Sequence, residues 1–181
     1  MTTGEWHLHV ADALRRNGIH TFATVPDYIV SRVLDHLWAD ESCRVVTVTR
    51  EEEGVGMLAG AFMAGKRGAL LMQNSGLGNC VNALASLCNA AQIPLVMVIS
   101  HRGDIGEFNV AQVPMGQATE PVLDALDVRY IKPHTVDELD AEVDGLIKLG
   151  FTRNLPVAIV LPNDLTGNRW STAAATRETD L

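Results

Sequence analysis

Cysteine is scarce in this chain: Cys43, Cys80 and Cys88 are its three, an odd number with no Cys-x-x-Cys spacing. Neither a disulfide framework nor a zinc knuckle is suggested, and a reducing, cytoplasmic setting fits. Positive charge is short as well. Lys and Arg number 14 against 22 Asp and Glu, a formal net charge of −8. That sign repels phosphate backbones and anionic lipids, so nucleic acid and membrane are poor partners, and any anionic ligand must be met by local donors. No apolar run approaches the roughly 18 residues of a membrane span, and the start, Met1-Thr2-Thr3-Gly4-Glu5-Trp6, has neither a basic nor an apolar leader region. His7, His9, His20, His36 and His134 are scattered, with no carboxylate or cysteine at ligand spacing, so the chain is assigned no metal. There is no Gly-x-Ser-x-Gly elbow, no Walker loop, no internal repeat and no low-complexity tract.

What is present suffices for a packed core. Apolar residues make up 47% and charged residues 20% of 181, which fits one globular domain. Short β-branched apolar runs alternate with amphipathic segments along the chain, the pattern of βαβ units. The expected class is α/β, a three-layer arrangement with a parallel sheet of about six strands flanked by helices. Helices are expected over 5–16, from Pro26-Asp27 through Leu37, over 52–64, over 77–90, near 120–126, and from the capping box Thr135-Val136-Asp137-Glu138 onward. Strands are expected at 21–24, 45–49, 69–73, 94–100, 128–131 and 157–161. Residues 101–118 read as a long loop, a place where functional residues concentrate. Residues 1–165 form the expected domain and 166–181 a C-terminal tail without apolar periodicity.

Four constellations fall where strands of an open α/β sheet deliver side chains to a ligand. Gln73-Asn74-Ser75-Gly76-Leu77-Gly78-Asn79 reads as a glycine-bearing turn between strand and helix. Its free N–H groups could hold an anion or polar ring, or its glycines could serve the backbone alone; Val81 spoils a GxGxxG fingerprint. Arg50-Glu51-Glu52-Glu53 reads either as acids placed against a helix dipole or as a catalytic carboxylate. Asp27 reads as an N-cap or as a site residue, and His101-Arg102 as a solvated turn or as a ligand edge. Cys80 and Cys88 read as packing residues about two helical turns apart.

Taken in order, Val25-Pro26-Asp27, REEEGVGMLAGAFMAGK from Arg50, MQNSGLGNCVNALASL from Met72 and ISHRG from Ile99 resemble the pyrimidine-binding (PYR) domain of thiamine diphosphate-dependent decarboxylases. The likeness is to the sulfopyruvate and phosphonopyruvate decarboxylases in particular and spans about 5–165. The resemblance implies a glutamate that hydrogen-bonds a ring nitrogen of the aminopyrimidine and promotes its imino form. Such chemistry needs a carboxyl group in a low-dielectric slot, because a solvated one is ionised. The Glu-x-x-small-Val pattern puts that glutamate at Glu51, with Glu52 as the alternative one residue on. Asp27 matches a position that assists proton transfer. Pro26, Asn74, Ser75 and Gly76 match the cofactor-binding segments, and Arg102, His101, Gln112 and Gln117 are the candidates for the acidic end of the substrate.

Family enzymes also carry a second domain that grips the diphosphate through Mg2+ with a Gly-Asp-Gly stretch, and here Gly103-Asp104-Ile105-Gly106 has the wrong spacing. The resemblance therefore implies a split enzyme: an alpha subunit sharing thiamine diphosphate with a beta subunit that binds Mg2+, and self-associating through the small-residue helix. The implied reaction converts sulfopyruvate to sulfoacetaldehyde and CO2. The alternatives are the phosphonopyruvate reaction and a noncatalytic PYR-like regulatory or scaffold module.

Overall fold

The computed structural model describes residues 5–167. Six strands form one sheet in the order β2-β1-β3-β4-β6-β5, every neighbouring pair parallel. They are β1 (Ile19–Thr24), β2 (Arg44–Thr47), β3 (Arg67–Gln73), β4 (Val96–Ser100), β5 (Arg129–Ile131) and β6 (Val157–Leu161). Parallel strands need crossovers, and the helices that supply them cover both faces. On one side lie α1 (Trp6–Arg16), α2 (Tyr28–Trp38) and α6 (Val136–Arg153), with Val10, Leu14, Val33, Leu37, Val143 and Ile147 packed on Phe22, Leu71 and Val98. On the other lie α3 (Glu51–Met63), α4 (Asn74–Ala83) with its π-helical extension Leu84–Asn89, and α5 (Val113–Ala125). Val55, Leu58, Leu77, Leu84 and Leu123 pack there on Leu70, Met72, Met97 and Val160. Burial on both faces explains why β4 and β6 read as unbroken apolar runs. Each enclosed Val, Leu or Ile contributes roughly 1.5–3 kcal/mol relative to exposure.

Local chemistry sets several boundaries. Arg15 and Arg16 sit in the last turn of α1, where cations face the negative end of the helix dipole. The Thr135 side chain accepts from the Glu138 amide at 3.2 Å as the capping box requires, while Glu138 reaches back one residue past the cap, to the His134 amide at 2.7 Å. A short helix, α7 (Asn163–Thr166), follows β6 and returns Leu165 to the core.

Two expected boundaries are corrected. Helix α4 starts at Asn74, directly after Gln73 ends β3, so there is no glycine-bearing turn; Gly76 and Gly78 are helical. Residues 101–118 are not all loop. A 3-10 turn (Val110–Gln112) leads into α5 at Val113, which places Gln117 on a helix. Pro114 lies in the first turn, where its missing N–H has no helical partner to lose, and Pro121 interrupts the helical pattern from inside. The expected tail from 166 falls, apart from Thr166 and Gly167, outside the described residues.

Candidate active site

Strand β1 lies between β2 and β3, so the chain leaves it toward one neighbour and later returns on the other side. The carboxyl edge above β1 is thus a topological switch point, where open α/β sheets form a crevice. Asp27 follows β1 there, Glu51 opens α3, Asn74 follows β3 and His101 follows β4.

The three consecutive acids part company at the start of α3. Glu52 and Glu53 are exposed, Glu52 beside Arg50 at 3.2 Å and Glu53 accepting from the Thr49 amide at 2.8 Å. Glu51 turns inward and is only 8% exposed. Its carboxylate lies over Gly76 of α4, where a Cβ would stand 2.5 Å from Glu51 Oε1. Asn79, one helical turn on, donates to Glu51 Oε2 at 2.8 Å. The other oxygen, Oε1, has no hydrogen-bond partner among the described residues. One oxygen is held and the other left open, the disposition suited to a ring nitrogen that both accepts and returns a proton.

Asp27 uses both of its oxygens within the chain. Oδ1 caps α2 by accepting from the Val30 amide at 2.8 Å, and Oδ2 accepts from Ser100 Oγ at 2.6 Å, which fastens the start of α2 to the end of β4. Pro26 before it is exposed. Asn74 is fully buried. Its Nδ2 donates to the Arg102 carbonyl at 2.8 Å and to Thr119 Oγ1 at 3.0 Å, and its Oδ1 accepts from the Arg102 amide at 3.3 Å. Asn74 thus joins β3, the loop after β4 and α5. Exposed Ser75 donates to Gln73 Oε1 at 2.8 Å.

His101 and Arg102 diverge. His101 is 4% exposed, with Nε2 at 3.1 Å from the Gly116 carbonyl and Nδ1 at 3.3 Å from Asp104. It lines a second cavity toward β5 with Gln117, Glu120 and Lys132. The backbones of Gly103 and Gly116 meet so closely that a Cβ on Gly116 would lie 2.6 Å from the Gly103 carbonyl. Arg102 instead faces Tyr28 and Phe108. Its Nε and Nη2 donate to Glu107 at 2.7 and 2.8 Å, a two-pronged pair. Glu107 also accepts from the Gly103 and Asn109 amides at 3.1 and 3.0 Å. Gln112 sits at the junction of the 3-10 turn and α5, with its carbonyl packed so closely against Gly103 that a Cβ there would clash with it. Sequence reasoning singled out neither Asn79 nor Glu107. Glu107 lies in a loop with no period to predict its partner, and Asn79 shares a helix face with Gly76 only once α4 is known to begin at Asn74.

The Arg102 hydrogen bond, aided by the Asn109 and Gly103 amides, holds the Glu107 carboxyl down to about 2, against its ordinary 4.5. A depressed acid contributes stability that is full above its unfolded value and lost as pH falls through its folded one. The Arg102–Glu107 lock therefore loosens as pH falls from about 4.5 toward 2. Thermal melting followed across that interval is expected to show a steeper acid loss in the wild type than in Glu107→Gln, which begins less stable at neutral pH.

Residues 5–131 match the family described as thiamine pyrophosphate enzyme, N-terminal TPP binding domain. The chain belongs to that family. The same fold occurs in a solved 2-oxoglutarate:ferredoxin oxidoreductase from Magnetococcus marinus, which superposes with a TM-score of 0.69 at 14% identity, over 89% of this chain and 29% of that one. Among nearer relatives, sulfopyruvate decarboxylase subunit alpha of Methanothermobacter thermautotrophicus is 46% identical over 80% of this chain and 87% of its own length. The protein of the same name from Methanococcus maripaludis is 41% identical over 84% and 91%. Phosphonopyruvate decarboxylase of Streptomyces viridochromogenes is 35% identical over 83% of this chain but 38% of its own. For a thiamine pyrophosphate-binding domain, a nearly buried carboxyl group with one open oxygen, seated on a glycine at the switch-point crevice, fits the polar ring of the cofactor.

Proposed function

We propose that residues 5–165 form the aminopyrimidine-binding domain of the alpha subunit of a two-subunit thiamine diphosphate-dependent 2-oxo acid decarboxylase. The substrate is sulfopyruvate, whose carboxylate leaves as CO2 while a proton takes its place, giving sulfoacetaldehyde. The observation that carries this reading is Glu51: nearly buried on Gly76, tethered through Oε2 by Asn79, and open at Oε1. The substrate assignment draws on the alpha-subunit relatives, which this chain matches over 87% and 91% of their length. When bound, thiamine diphosphate supplies the carbon nucleophile and the electron sink that decarboxylation needs.

The chain's own residues do the following. Glu51 holds the pyrimidine by a hydrogen bond at Oε1 and moves a proton there. Gly76 leaves room for that carboxyl group and Asn79 fixes its orientation, while Pro26 and Ser75 are exposed at the ends of the segments that lead into α2 and α4. Asp27 acts through position, pinning α2 to β4 beside the ring, and Asn74 keeps the Arg102 loop at the crevice. Glu107 already holds the Nε–Nη2 edge of the Arg102 guanidinium, so a sulfonate would either meet the remaining Nη1 donors or displace Glu107. His101 supports that loop through the Gly116 carbonyl and Asp104, and exposed Gln117 shares its cavity. The partner, a beta subunit, would carry the diphosphate-binding half and its Mg2+. Cytoplasmic residence belongs to the same reading; among the described residues no helix is long and apolar enough to cross a membrane.

Purifying the chain alone and together with its beta companion, with Mg2+ and thiamine diphosphate, tests the reading by aldehyde formation. The pair is expected to turn over sulfopyruvate and the chain alone to be inert. Faster turnover of phosphonopyruvate would move the substrate, and turnover of neither acid by the pair would end the proposal.

A further inference from the structure

The opposite, amino-terminal edge of the sheet carries a feature for which the reaction has no use. An open groove of about 720 Å³ lies there between the starts of β1, β2 and β3 and the second half of α3. Its charged or titratable lining residues are His20, Arg44, Lys66 and Arg67; no acid lines it. In a chain of net charge −8 that is a local reversal of sign. Side chains alternate along a strand, so Arg44 shares the α3 face with Val46, which also lines the groove, whereas Arg67 shares the opposite face with Ala69 and Leu71. Lys66, just before β3, joins Arg44 in the lining.

The cations differ in readiness. Arg67 is held in place by donating to the Asn17 carbonyl at 3.0 Å and by lying over the Phe151 ring at 4.3 Å. Arg44 and Lys66 are exposed and make no ion pair among the described residues. Two acids precede the groove residue Ser42: Glu41 makes no ion pair among the described residues, and Asp40 is committed to Arg15 at 3.1 Å and to the Ser42 hydroxyl at 2.6 Å, so neither is paired with Arg44 or Lys66. Hydroxyls from Thr21 and Ser42 add neutral donors. Unpaired cations gathered in a concave, hydroxyl-lined wall raise the local concentration of anions, and arginine in particular matches the oxygens of a phosphoryl group.

We propose that this groove is a binding site for a small phosphate-bearing polyanion, gripped by Arg44 and Lys66. The strands between groove and crevice are six to seven residues long in β1 and β3. At about 3.3 Å per residue the two ends stand roughly 20 Å apart, so a ligand here touches none of the atoms at Glu51. The inference is independent of the reaction proposed above.

The test is calorimetric titration of the full 181-residue chain, without its companion, with inorganic pyrophosphate. Saturable binding that weakens as salt is raised is expected. Arg44→Ala with Lys66→Ala should weaken it at least about tenfold, because two charge-assisted contacts are removed together. Both side chains are exposed, so the double variant should melt as the wild type does without ligand. Absence of heat at millimolar pyrophosphate would overturn the proposal, and so would affinity unchanged in the double variant. A third result would also overturn it: a double variant that no longer assembles with the companion subunit, while the wild type binds no pyrophosphate, would make the groove a protein interface.

Discussion

Glu51→Gln in the assembled enzyme is expected to lower kcat by at least about a hundredfold, the lower range for removing a positioned acid–base group. Glutamine keeps the size of the side chain and an oxygen for the Asn79 amide, but it has no proton to exchange at the position of Oε1. The fold should be indifferent to the change, because the only side-chain hydrogen bond Glu51 makes among the described residues is the 2.8 Å contact with Asn79. Melting temperature and cofactor-independent circular dichroism should therefore match the wild type. Glu52→Gln is the control: that side chain is exposed beside Arg50, and its loss should leave kcat within about twofold, as for surface substitutions generally. Unchanged turnover in Glu51→Gln would favour the noncatalytic module. A large fall in Glu52→Gln would move the acid one residue along.

The second large effect belongs to a residue with no side chain. In Gly76→Ala the new methyl would sit 2.5 Å from Glu51 Oε1 and 2.6 Å from its Cδ, far inside the roughly 3.5–4.0 Å of an ordinary contact. Something must move, and Asn74 decides what. Two residues upstream, its amide is bonded to Arg102 and Thr119, so the start of α4 is held and the carboxyl end of Glu51 gives way. A displacement of about 1 Å at a reacting group can lower the rate by about a hundredfold. Stability, in contrast, should hardly suffer, because alanine favours helix over glycine by about 0.5–1 kcal/mol. The expected signature is lost turnover in a protein that melts normally. Gly78→Ala supplies the comparison, since its methyl would meet only Met115 Sδ at 3.6 Å and activity should persist. Full activity in Gly76→Ala would mean that the seat under Glu51 is not what orients it.

These two residues also show where sequence reading succeeded and stopped. The alternation of apolar runs and amphipathic segments was enough for a parallel α/β sheet, because strands enclosed on both faces leave an unmistakable hydrophobic pattern. The Thr135 capping box was legible for the same reason: its partners are three residues apart. Glu51 and Glu52 could not be separated, since a one-residue shift in the start of α3 rotates the inward position by about 100°. Gly76 was legible as special but not for its actual reason, which is a side chain arriving from another helix. Arg102 read as an anion receptor; the carboxylate occupying it, Glu107, lies in an aperiodic loop where no spacing rule applies.

Glu51, Gly76 and Asn79 are held together by contacts within this one polypeptide. The arrangement around the Glu51 carboxylate is thus preset before any partner docks. Freezing a long side chain during association typically costs about 0.5–1.5 kcal/mol, and here folding has already met that cost. Coenzyme capture on this side should accordingly proceed as lock-and-key, leaving whatever rearrangement assembly demands to the other protein.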